Sequence, residues 1–163
     1  MKTTTLLIVF VVGFLTLSLS AQETIWFDSN WNVTTKDKAF HYRPAPKKMD
    51  KGYWIVDYYL NGVKQMEGLS TTNEPNKEMY IGTVNYFHEN GNRFQEVFYV
   101  DGKPEGKFSE FYDSGELKTS GRYKEGKREG AWKTFNKNGK IKEKGRYNKG
   151  EKVGIWKVFY KNE

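Results

Sequence analysis

The chain has 163 residues, 27 Lys+Arg against 20 Asp+Glu, no cysteine, and a large aromatic complement of 5 Trp, 11 Tyr and 11 Phe. That length fits one modest domain, and the composition excludes disulfide scaffolds, thiol catalysis and Cys-ligated metals. Two histidines, His41 and His88, leave little for a His-rich metal site or for acid-base chemistry near neutral pH.

Residues 1–21 open with the positive charge of Lys2, continue through an apolar run from Leu6 to Leu19 broken only by Gly13, Thr16 and Ser18, and close on the small residues Ser20 and Ala21. This order predicts a secretory signal peptide cleaved after Ser20 or Ala21. The run is too short for a membrane span, which needs roughly 20 apolar residues. No cysteine follows it, so lipoprotein anchoring is not available. The expected location is therefore secreted or periplasmic, in a bacterial envelope.

Residues 22–50 read as an extended segment that caps residues 51–163, with Trp26, Phe27 and Trp31 as its packing residues and Pro44, Pro46, Lys47 and Lys48 as the joint. Asp28, Asn30 and Asn32 begin like a calcium loop, but Val33 stands where the turn glycine belongs and Ala39 where the bidentate glutamate should be.

From residue 51 to 163 one period dominates. Gly82, Gly106, Gly130 and Gly154 recur at steps of 24, as do Phe87, Phe111, Phe135 and Phe159, the series Phe108, Trp132 and Trp156, and the series Tyr99, Tyr123 and Tyr147. Several independent series on one period define a repeat architecture. A degenerate earlier copy, marked by Tyr58, Gly62 and Gly68, precedes its counterparts by 29, which places a five-residue insertion within Ser70 to Glu78.

Each repeat holds two turn signals. Asn90-Gly91, Ser114-Gly115 and Asn138-Gly139 form one series, and Asp101-Gly102, Glu125-Gly126 and Lys149-Gly150 the other. Such pairs favour tight turns whose two central residues both take positive φ. Each repeat is thus expected to be one β-hairpin with strands of about five to seven residues. The predicted fold class is all-β, an elongated meandering array of antiparallel hairpins.

Period-2 alternation in the second strand of each hairpin puts Leu117, Thr119, Gly121 and Tyr123 on one face, and Ile141, Glu143, Gly145 and Tyr147 on the same face one repeat later. The opposite face then carries Lys118, Arg122 and Lys124, then Lys140, Lys142, Lys144 and Arg146, which together form the candidate surface for an anionic partner. Phe108 and Phe111 are three apart, so either a bulge realigns them or both faces carry an aromatic. Gly121 and Gly145 on the apolar face mark close approach by a ring such as Phe108, Trp132 or Trp156. With Tyr123 and Tyr147, these are the expected packing residues between repeats. The final strand, Ile155 to Tyr160, has no following hairpin mate and is open to pairing with another copy.

The charge is uneven. Residues 21–100 hold 9 Lys+Arg and 10 Asp+Glu, whereas residues 101–163 hold 17 and 10. A basic field of this kind attracts anions or an acidic partner surface.

The run Gly130-Ala-Trp132-x-x-Phe135, Asn138-Gly139, Gly145-x-Tyr147-x-x-Gly150 and Gly154-x-Trp156 resembles the MORN repeat in its bacterial variant form. The N-terminal part, Ile25-Trp-Phe-Asp28 through Gly68, is similar to secreted MORN-variant proteins of Bacteroidetes, a group often labelled antitoxin component of the YwqK type. The resemblance implies an elongated β-hairpin array used for interaction.

No site chemistry emerges. Gly121 to Lys127 imitates a phosphate loop, but Arg128 replaces the required hydroxyl residue and the repeat itself explains the spacing. His88 reads as a solvated turn residue and His41 lacks a triad partner. Carboxylates are scattered among lysines rather than paired in apolar surroundings. No catalytic residue, cofactor or metal is expected. The functional expectation is a non-enzymatic protein-interaction scaffold, with a binder of anionic lipid headgroups or glycans as the alternative; nucleic acid is disfavoured by secretion.

Overall fold

The computed structural model describes residues 23–160, so the expected signal peptide lies outside the described residues. Four short strands come first: β1 (Ile25–Phe27), β2 (Val33–Thr34), β3 (His41–Arg43) and β4 (Lys47–Met49), with a 3₁₀ turn at Lys36–Lys38. Nine longer ones follow: β5 (Gly52–Tyr59), β6 (Lys64–Ser70), β7 (Tyr80–Phe87), β8 (Arg93–Val100), β9 (Lys103–Phe111), β10 (Leu117–Lys124), β11 (Lys127–Phe135), β12 (Ile141–Asn148) and β13 (Glu151–Val158). They form one open antiparallel sheet in which β5 to β13 lie in chain order. The chain is all-β, a series of consecutive hairpins, with strands of seven to nine residues in the array.

The N-terminal segment joins this sheet rather than lying across it. β3 pairs with Tyr58 and Tyr59 at one end of β5, β4 pairs with Gly52 to Trp54 at the other, and β1 and β2 extend the sheet beyond β3. Pro44 and Pro46 link β3 to β4, whereas Lys47 and Lys48 belong to β4 itself.

The two turn series differ. Asp101-Gly102, Glu125-Gly126 and Lys149-Gly150 take positive φ at both residues, 47° and 74°, 51° and 80°, 51° and 94°. These are the two-residue turns expected. At Asn90-Gly91, Ser114-Gly115 and Asn138-Gly139 only the glycine is left-handed. There Gly91 N–H donates to the His88 carbonyl and His88 N–H to the Asn92 carbonyl, each at 2.8 Å, so a wider loop ends on a left-handed glycine.

Just after this wider loop, the second strand of each hairpin carries one inserted residue. The register slips between Tyr86 and Phe87, Leu117 and Thr119, and Thr134 and Phe135, leaving Phe94, Lys118 and Lys142 without a directly opposed partner. Gln65 has the same place in the first hairpin. These are β-bulges, and they flip the strand beyond them. Leu117 consequently pairs with Phe111 and Ile141 with Phe135, on the face away from Thr119 and Glu143, which corrects the simple alternation expected for these strands. Phe108 and Phe111 lie on a regular stretch of β9, so both faces do carry an aromatic.

One face of the sheet holds the packing. Ile55, Met66 and Val84 form one buried cluster, and Val97, Phe108 and Trp132 a second, flanked by Tyr86, Tyr99, Tyr123, Tyr147 and Trp156. A single-layer sheet has no second sheet to cover it, so these rings cover one another across neighbouring strands.

Candidate functional site

The ring face is built by size complementarity. A Cβ at Gly121 would lie 2.2 Å from Cδ2 of Trp132, and one at Gly145 2.3 Å from Cδ2 of Trp156. Trp132 meets the edges of Tyr123 at 5.4 Å and Tyr147 at 5.7 Å, and Arg128 covers its ring at 4.6 Å. Phe108 packs at 5.3 Å from Trp132, and Lys152 lies 3.9 Å from the centre of Trp156. The ring surfaces are thus already occupied, by neighbouring rings or by cations.

The opposite face carries Phe111 with Leu117 and Phe135 with Ile141 beside the wider loops, and its charges stand in register along the rest of the strands. Lys133 on β11 is directly opposite Lys144 on β12, which is directly opposite Lys157 on β13. Arg122 stands opposite Lys107, and Lys124 opposite Lys127. Among the described residues none of Arg122, Lys124, Lys133, Lys144, Arg146 or Lys157 pairs with a carboxylate within ion-pair distance.

Three residues expected on this basic face are placed differently. Lys118 and Lys142 are the inserted residues of two bulges, and Lys118 pairs at 2.8 Å with Glu110, which shares the ring face with Thr119. Lys140 precedes β12 and belongs to the loop, its carbonyl accepting from Asn136 N–H. Arg122, Lys124, Lys144 and Arg146 lie on β10 and β12 as expected. Lys107, Lys133 and Lys157 complete the surface; they sit on β9, β11 and β13, outside the second strands on which the alternation is read.

His88 is not a free turn residue. It is part-buried and its Nε2 lies 3.1 Å from the Phe111 carbonyl oxygen. Tyr112, one repeat later, donates from its hydroxyl to the Phe135 carbonyl at 2.7 Å, and Tyr59 does the same to Phe87. The 24-residue step already aligned His88 with Tyr112, so the role was readable as a repeat slot. His41 lies between Trp31, stacked at 4.3 Å, and Tyr59 at 5.3 Å; burial lowers its pKa and favours the neutral ring. Asp28 accepts from the backbone N–H groups of Asn30 and Asn32 at 2.8 and 2.9 Å, closing its own loop.

A buried ion cluster leaves almost no local signature in the sequence. Arg43 of β3 is 3% exposed and forks onto Asp57 of β5, with Nε donating at 2.6 Å and Nη2 at 2.9 Å. Its Nη1 donates to Glu78, at the end of the five-residue insertion. Burial alone would favour a neutral guanidine, but the hydrogen bonds and charge of Asp57 and Glu78 reverse this and hold Arg43 protonated. Burial raises the Asp57 carboxyl above its ordinary value, against the pull of Arg43. The only sequence cue was the insertion itself, since nothing local marks three residues up to 35 positions apart as partners.

Among the described residues no helix is long and apolar enough to cross a membrane, and no group of three or more His, Cys, Asp or Glu is gathered as a metal site. No curated protein shows significant similarity to the chain. Residues 80–101, 104–125 and 128–149 match the family described as MORN repeat variant, and each stretch is one hairpin: β7 with β8, β9 with β10, β11 with β12. Three consecutive hairpins of one open antiparallel sheet thus match the MORN repeat variant, and β5, β6 and β13 continue the same geometry on either side of them.

Proposed function

We propose that the chain is a non-enzymatic interaction scaffold of the secreted or periplasmic compartment, presenting a cationic sheet face to an acidic protein surface. One observation carries this reading: Lys133, Lys144 and Lys157 stand in direct cross-strand register without carboxylate partners among the described residues. Like charges so placed repel and weaken the sheet that holds them. An incoming row of carboxylates removes that repulsion, so complementarity here adds to binding and steers the encounter. The ring face is the weaker candidate, because its aromatic surfaces are consumed by packing.

The experiment is a titration of the mature chain with polyglutamate across ionic strength, since exposed charges are screened beyond about 8 Å at physiological salt. Lys144→Glu with Arg146→Glu should weaken binding by at least about tenfold. Lys47→Glu with Lys48→Glu, equal in net charge but remote, should leave most of it. Equal loss in both variants would reduce the interaction to net charge alone. Binding to anionic lipid vesicles in the absence of polyglutamate binding would favour the envelope-surface reading instead.

A further inference from the structure

A cavity of about 230 Å³ opens on the ring side of the sheet at its N-terminal end, where Met66 and Tyr86 belong to the inner rows. Arg43, Asp57 and Glu78 line it. One guanidinium faces two carboxylates there, so the enclosed charge is negative in a chain whose formal net charge is +7. Tyr80 and Tyr86 also line the cavity, and burial raises both hydroxyls well above their ordinary pKa, so neither adds further charge.

Two further observations single this cavity out. Gln65, the inserted residue of the β5–β6 bulge, lines it, and its buried Oε1 has no hydrogen-bond partner. An unused buried acceptor is costly unless something donates to it. Trp31 and Asn76, also on the lining, both have φ of 64°, and Asn76 Nδ2 donates to the Trp31 carbonyl at 3.1 Å. A bulky residue in the left-handed region is a genuine outlier. Such strain is held only where the surroundings over-determine it, as they do around ligand clamps.

Negative charge, a free acceptor and aromatic walls together specify a ligand class. We propose that the cavity binds an organic monocation, an alkylammonium or alkylguanidinium group, supplied as a Lys or Arg side chain of a partner protein. The cation's N–H donates to Gln65 Oε1, its charge offsets the excess carboxylate, and its stem lies among Trp31, Tyr80 and Tyr86, rings that favour cations. An anion would meet two carboxylates, and a neutral apolar group would leave Gln65 unpaired. This site is independent of the lysine face, lies on the other side of the sheet, and selects the opposite charge.

The test titrates the full chain with n-butylammonium, N-acetyl-lysine N-methylamide, 1-pentanol and butyrate while following the Trp31 and Tyr86 resonances. The two cations should shift these resonances, the lysine derivative at least as tightly as butylammonium, with pentanol and butyrate weaker by about tenfold or more. Gln65→Leu should weaken the cations by a similar factor at an unchanged melting temperature. It is chosen over triad variants because Asp57 and Glu78 also hold the fold together, and the probe series on the unaltered chain decides even where the variant unfolds. Equal binding of a neutral or anionic probe, silent resonances at millimolar cation, or a folded Gln65→Leu that binds as tightly as the parent would each overturn the proposal. Butylammonium binding with exclusion of the lysine derivative would overturn the side-chain source in favour of a free amine.

Discussion

Trp132 and Trp156 each lie over a glycine because no other residue leaves room for an indole, and the chain contains its own control. Where Val97 stands in the slot of Gly121 and Gly145, the ring directly opposite it is Phe108, not tryptophan. Residue choice on the two strands is therefore coupled. Gly145→Ala should destabilise the chain by about 1–3 kcal/mol through overpacking against Trp156. Adding Trp156→Phe should recover part of that loss in chemical denaturation; a double variant no more stable than Gly145→Ala would contradict the coupling. This contact was legible because a glycine inside an alternating strand marks close approach. Glycine spacing also revealed the hairpins. The charge positions were only partly legible, since period-2 alternation holds only up to the next bulge, and Lys118 and Lys142 sit on bulges.

At the scale of elements, the bulges and the five-residue insertion have separate consequences. A bulge in every hairpin increases local twist and turns Leu117 and Ile141 toward the face of Phe111 and Phe135, which regular alternation along β9 and β11 already sets away from Phe108 and Trp132. The insertion delivers Glu78 to Arg43, tying the loop before β7 to β3 and β5. Repeat periodicity could not show this, because the partners come from outside the period. Arg43→Met should cost about 3–5 kcal/mol, since it leaves Asp57 and Glu78 buried without a cation. Replacing Asp57 by Leu in the same chain should return part of that stability, because an apolar substitute for a buried pair is often tolerated. Denaturant midpoints of the two variants check this, and an Arg43→Met chain as stable as the parent would show that the cluster does not hold the N-terminal strands.

Across the sheet as a whole, one cross-strand row crosses the polar face from β6 to β13: Glu67, Asn85, Glu96, Ser109, Ser120, Lys133, Lys144 and Lys157. Its acidic end is already compensated, Glu67 by Lys64 at 2.7 Å and Glu96 by Arg93 at 2.5 Å. Its basic end is not. Composition showed the excess of lysine in the second half, but only the register shows which lysines stand side by side. The decisive measurement is the set of backbone amide shifts of the chain on adding polyglutamate at low salt. Recognition through the lysine row predicts shifts concentrated at Lys133, Lys144 and Lys157 and their neighbours on β11 to β13, fading as salt rises. Shifts centred on Trp132, Thr119 and Tyr147 without salt dependence would place recognition on the ring face and contradict it.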